Sequence, residues 1–216
     1  SSVAVSSANG TAINGGSVST SGAQTFSSAV TLGNNTTFSS SAGGAIDFAS
    51  TIDGARQLSV NTTGATIFGG AIGATTALTS VTTNTGGTVN LNGGTVTTTG
   101  GQTYGDAATL GVNTTLSGNN ISFADAINGA RTLTITDIGA TTLTGAVGGT
   151  TALSSVAVSS ANGTSINGGS VSTSGAQTFS SAVTLGNNTI FSSSAGGAIG
   201  FASTIDGAVE LSVNTT

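Results

Sequence analysis

The chain has 216 residues and carries two cationic side chains, both Arg, against seven acidic ones, for a net charge of -5. Gly, Thr and Ser together make up half of the chain, while Pro, Cys, His, Met and Trp are absent. This excludes a disulfide framework, a Cys or His metal site and any Ser-His or Cys-His nucleophile, and two Arg cannot neutralise a run of phosphates, so nucleic acid is not an expected partner.

An apolar fraction of 36% and a mean hydropathy of +0.30 argue against a disordered Ser/Thr/Gly linker. Abundant Val, Ile and Thr punctuated by Gly and Asn are the composition of many short strands joined by tight turns. No apolar stretch approaches the roughly 18 residues that a membrane-spanning helix needs, so none is expected. The chain begins at Ser1 with no signal peptide, and reads as a piece of a longer protein.

Taken in chain order, the first unit runs over residues 1–78. It holds QTFSSAV (24–30), IDFASTI (46–52) and TIFGGAI (66–72), each a bulky apolar residue followed by small ones. Leu58 and Val60 alternate with Gln57, Ser59 and Asn61, which puts one face inward and one outward. Residues 79–153 are a diverged copy. Within it Val89 and Leu91 alternate with polar neighbours, ISFADAI (121–127) and TTLTGAV (141–147) repeat the apolar segment, and Leu133 and Ile135 alternate with Thr132, Thr134 and Thr136. Residues 154–216 form a partial third copy that differs from 1–63 at five positions: Ala12/Ser165, Thr37/Ile190, Asp47/Gly200, Arg56/Val209 and Gln57/Glu210.

The bulky residues fall at Ile13, Phe26, Phe48, Phe68, Leu91, Tyr104, Phe123, Leu143, Ile166, Phe179 and Phe201, with spacings of 13, 22, 20 and 23, then 13, 19, 20 and 23. An average near 20 with strand composition predicts one coil of a parallel β-helix per segment. The expected fold is all-β: one continuous β-solenoid of about eleven coils, four per unit, with each segment on its counterpart in the coil below. The expected inward set is Phe26, Phe48, Phe68, Leu91, Tyr104, Phe123, Leu143, Phe179 and Phe201. Asp53-Gly54, Asn128-Gly129 and Asp206-Gly207, together with Asn14-Gly15, are expected at corners needing positive φ. An antiparallel sandwich is the competing reading, because Asn-Gly and Asp-Gly also mark hairpins.

The only candidate catalysts are Asp47, Asp53, Asp106, Asp125, Asp137, Asp206 and Glu210. A sugar-cleaving β-helix needs two carboxylates flanking one bond. Asp53 and Asp206 align with Asn128, and Asp47 with Gly200, so these positions read as turn or surface, and no enzyme is expected. Calcium-binding β-rolls repeat Asp within GGxGxDxUx. Gly69-Gly70 and Gly148-Gly149 lack that Asp, so no metal or cofactor is expected. Arg56 and Arg131 read as solvated or locally paired. The Thr132, Thr134, Thr136 run resembles an ice-binding rank, but its counterparts are Gln57, Ser59 and Asn61. Sequons at Asn9, Asn35, Asn61 and Asn113 are common in such a composition.

The phrases GAQTFSSAVTLGNNTTF (22–38) and GATTLTGAVGGTTALSSV (139–156) resemble the repeats of large filamentous-haemagglutinin-like bacterial exoproteins exported by two-partner secretion, and the resemblance covers essentially the whole chain. The family's amino-terminal secretion domain and NPNL-type motif are not in this segment. The resemblance implies a right-handed β-helical shaft on the cell surface of a Gram-negative bacterium, in adhesion, aggregation or biofilm, with no catalytic residues in the shaft. The expected function is a rigid shaft segment of an extracellular adhesin or filament. The runner-up is a self-assembling subunit of a fibre or sheath, and a polysaccharide-acting enzyme is the remote alternative. Expected partners are other rods and a cell-surface or carbohydrate ligand elsewhere in the full protein.

Overall fold

The computed structural model describes residues 1–216, contains strands and no helix, and pairs every strand in parallel. The strands are short, from Ile52–Asp53 at one extreme to Gln57–Thr62 at the other, and stack on three faces. On the first face lie Val3–Val5, Gln24–Phe26, Ile46–Phe48, Ala65–Phe68, Thr88–Leu91, Ala107–Leu110 and Ile127–Asn128. Single-residue bridges through Val147 carry this face on to Ser170–Thr173, Thr189–Ser193 and Leu211–Thr215. The second face runs from Thr11–Ile13 through Ile72 to Ile199–Phe201. The third is one ten-stranded sheet from Ser17–Thr20 to Ile205–Asp206. The molecule is therefore a β-solenoid of about ten turns, and parallel pairing excludes the hairpin sandwich.

Alternation builds this fold locally. In Gln57–Thr62 the inward Leu58, Val60 and Thr62 are buried while Gln57 and Asn61 face solvent. The buried sides of all three faces meet in one core of 36 apolar residues that runs the length of the rod. Aromatic rings line up along it: Phe26 stacks on Phe48 at 5.3 Å and Phe48 on Phe68 at 5.9 Å, with Phe38 edge-on to both Phe26 and Phe48. Tyr104 stacks on Phe123 at 4.5 Å, and Phe179 on Phe201 at 5.3 Å. Of the expected inward set all are buried except Phe201, which is partly buried in the last turn.

Two expectations about the coils are corrected. The turns number about ten, close to the eleven expected, but a unit does not hold four of them, and a segment does not lie on its sequence counterpart. The first unit supplies eleven rungs, counting Ile72, and so does the second, counting Val147. Eleven rungs on three faces make three and two-thirds turns. Each copy is therefore rotated by one face relative to the one before. Val3–Val5 lies on the first face, its copy Ser80–Thr83 on the third, and its next copy Ser155–Ser160 on the second. The spacings near 20 are full turns, because Phe26, Phe48, Phe68 and Leu91 occupy one column in register. The step of 13 from Leu91 to Tyr104 is two-thirds of a turn, from the first face to the third. A segment lies on the next segment of its own unit, not on its sequence counterpart.

Candidate functional site

Several of the charged and polar side chains lie at corners. Gly54, Gly129 and Gly207 have φ of +122°, +121° and +142°, and a Cβ at Gly54 would collide with the Leu32 carbonyl oxygen. Asp53 Oδ1 accepts the backbone N–H groups of Thr75 and Thr76 at 2.9 and 3.0 Å, and Asn128 Oδ1 accepts those of Thr150 and Thr151 at the same distances. Both fasten a short excursion, between Ile72 and Leu78 in one unit and between Val147 and Leu153 in the next, whose flanking residues bridge to the same neighbouring strand. One acceptor oxygen suffices, which is why Asp and Asn interchange. At Asn14-Gly15 the expectation is corrected by one residue: the positive φ, +76°, belongs to Gly16.

The carboxylates are scattered over corners and faces. Asp47 faces outward on the first face between Thr25 and Ile67. Asp206 and Glu210 are exposed in the last turn. Asp137 is 3% exposed and saturated: Oδ1 accepts from the N–H groups of Asn120 and Gly139, Oδ2 from the Ile121 N–H and the Thr141 hydroxyl, at 2.7 to 3.0 Å. It binds two consecutive coils together. Only Asp106 and Asp125 come into axial register, and Asp106 is buried. Each Arg is tied to a backbone carbonyl: Arg56 Nε donates to that of Gly33 at 2.7 Å and Arg131 Nε to that of Gly111 at 2.8 Å. The Thr132, Thr134, Thr136 run is flanked by Thr115 and Ser117 on one side and by Ser155, Ala157 and Ser159 on the other, so the hydroxyl rank is broken at Ala157.

Sequence reasoning missed the buried glutamines. Gln24, Gln102 and Gln177 are fully buried, and each Nε2 reaches three acceptors: Val18 O, Thr20 Oγ1 and Ser39 O in the first unit, with the equivalent set around Gln102 and Gln177. The Tyr104 hydroxyl donates to Gln102 Oε1 at 3.0 Å, and burial pushes its phenol far up, so the ring stays a donor. Gln24 and Gln177 precede Phe26 and Phe179 instead, and their Oε1 atoms are buried without a partner. The signal was present: Gln stands two residues before an aromatic in all three copies, the spacing that points both inward.

The arrangement defines a class: a β-solenoid repeat protein whose polar corners fasten coil to coil. The chain matches no protein-family model, no curated protein and no solved structure.

Proposed function

We propose that the chain is a rigid shaft segment of an extracellular adhesin or surface filament of a Gram-negative bacterium, acting in adhesion, aggregation or biofilm, and that it is not an enzyme. The observation that carries this reading is the advance of three and two-thirds turns per unit. Any feature of the repeat is moved to another face from one copy to the next, so the repeat lengthens the rod without building one specialised side. Outward positions are small and uncharged for most of the length, which suits a spacer, and the likeness of the repeat phrases to filamentous-haemagglutinin-like exoproteins supports the cell-surface setting. Recognition of a surface or carbohydrate ligand then belongs to other parts of the full protein. The test is deletion of residues 79–153 from the full-length protein on the cell. A spacer shortens by about 18 Å, from the roughly 4.8 Å strand spacing, and adhesion persists. Loss of adhesion at unchanged surface level would overturn the reading.

A second reading, a subunit stacking end to end, is favoured by one observation. Leu211–Thr215 repeats the sequence of Leu58 to Thr62, and the strand that covers the latter, Ser80–Thr83, is the copy of Ser2 to Val5. The native mass of the intact protein separates the two, a ladder of 20.2 kDa steps favouring the subunit.

A further inference from the structure

The middle unit differs from its neighbours at one corner. Where the outer copies carry Ser28 with Ser50, and Ser181 with Ser203, the middle copy carries Asp106 with Asp125. The pairing is fixed from both sides: Tyr104 lies opposite Phe123 and Ala108 opposite Ile127, so Asp106 lies opposite Asp125 on the next coil. Like charges directly opposite each other are destabilising. Asp106 is also 2% exposed. Its Oδ1 accepts the Gly87 N–H at 2.6 Å, while Oδ2 is buried with no partner. Asp137, equally buried, has four donors. A buried carboxylate oxygen without a donor is costly, and a proton removes both this cost and the repulsion.

We propose that Asp106 holds a proton inside the rod, opposite the exposed Asp125 of the next coil, making the middle of the rod a pH-sensitive joint. The groups facing the pair leave no other source of positive charge. The coil below presents Gly87 and the coil above Gly145. Tyr104 directs its hydroxyl at Gln102, and Arg131 lies against Gly111 at another corner. Asp125 accepts only the neighbouring Ala126 N–H at 2.6 Å. Burial is the main cause that lifts the Asp106 carboxyl above its ordinary 3.8, the Asp125 charge adds to the rise, and the N–H groups of Gly87 and Gly86 oppose it. The folded form thus holds its proton to higher pH than the unfolded chain does. Below about pH 4 both forms are protonated and nothing is lost. As pH rises through the raised value the folded form must ionise a buried group, and stability falls. In a stack of nearest-neighbour contacts the loosening stays at this joint.

The experiment follows chemical unfolding and amide exchange of the whole chain between about pH 4 and pH 8 in the natural protein, Asp106→Ser and Asp125→Ser. Serine already occupies both places in the other copies, so these variants fold. The natural protein should lose stability with rising pH relative to Asp106→Ser, and the Gly105 amide, which donates to the Thr83 hydroxyl in both proteins, should exchange several-fold faster at pH 7 than in that variant, after correction for intrinsic rates. Asp125→Ser should move the loss of stability to lower pH, because the neighbouring charge that helps to raise the Asp106 carboxyl is gone. Identical pH profiles for the natural protein and Asp106→Ser would overturn the proposal. So would recovery of the pH 7 loss by millimolar calcium chloride, which would make the pair a cation site.

Discussion

Gln102 and Tyr104 form the one buried amide–phenol pair of the rod, and the two outer copies show the same glutamine without it. A buried acceptor left without a donor costs about 1–3 kcal/mol. Tyr104→Phe should therefore lower unfolding stability by roughly that amount, and Phe26→Tyr should raise it, both read by denaturant unfolding. Asp137 is the stronger case. Asp137→Leu strands three backbone N–H groups and a hydroxyl inside the rod, and a loss of roughly 3 kcal/mol or more is expected, whereas Asp53→Asn should be neutral because Asn128 already fastens the equivalent corner. Much of this scale was legible. The Asp/Asn exchange before Gly marked a corner, whereas Asp137, read with the other acids as turn or surface, is buried in line with Leu133 and Ile135. What was not legible is which corner residues lie inside, because Asp106 is buried by the coils on either side of it, which come from other parts of the sequence.

At the scale of the strand, burial is set by rows rather than by single segments. Phe123 is fully buried between Tyr104 and Leu143, its neighbours on the third face. Removing a buried Phe side chain costs about 3–5 kcal/mol, and a carboxylate in its place adds an unpaired buried charge. Phe123→Asp should open the middle turns to limited proteolysis while the outer turns persist, because each turn touches only its neighbours. Cleavage spread evenly over the chain would instead indicate one cooperative core. The strands themselves are short, and none would hold alone. Their corners determine where they stop, as at Gly54, where a Cβ would strike the Leu32 carbonyl and Gly54→Ala should destabilise the turn.

At the scale of the molecule the rod is a quasi-threefold screw. Three units would make eleven turns and return a feature to its starting face after about 53 Å, at roughly 4.8 Å per turn. Deleting residues 79–153 therefore both shortens the rod and turns everything beyond it by one face. Electron micrographs of labelled rods should show a tag attached at Asn187 rotated by a third of a turn relative to one at Asn9, compared with the natural chain. An unchanged azimuth would mean that the deleted unit held a whole number of turns. Far-UV circular dichroism should show β-structure with no helical signal, whatever the length.

The sequence by itself determined the strand content, the inward side of each strand and the coil length, because alternation and the recurrence of a bulky apolar residue are local properties of the chain. It even contained the rotation, in the steps of 13 from Ile13 to Phe26 and from Leu91 to Tyr104, but such a step has no meaning until the number of faces is known. The tertiary structure decided that number, and with it the register between coils. Only then did Gln24, Gln102 and Gln177 acquire their acceptors, and Asp106 come to lie against Asp125, because a side chain's surroundings in a solenoid are supplied by the turns above and below and not by its neighbours in sequence.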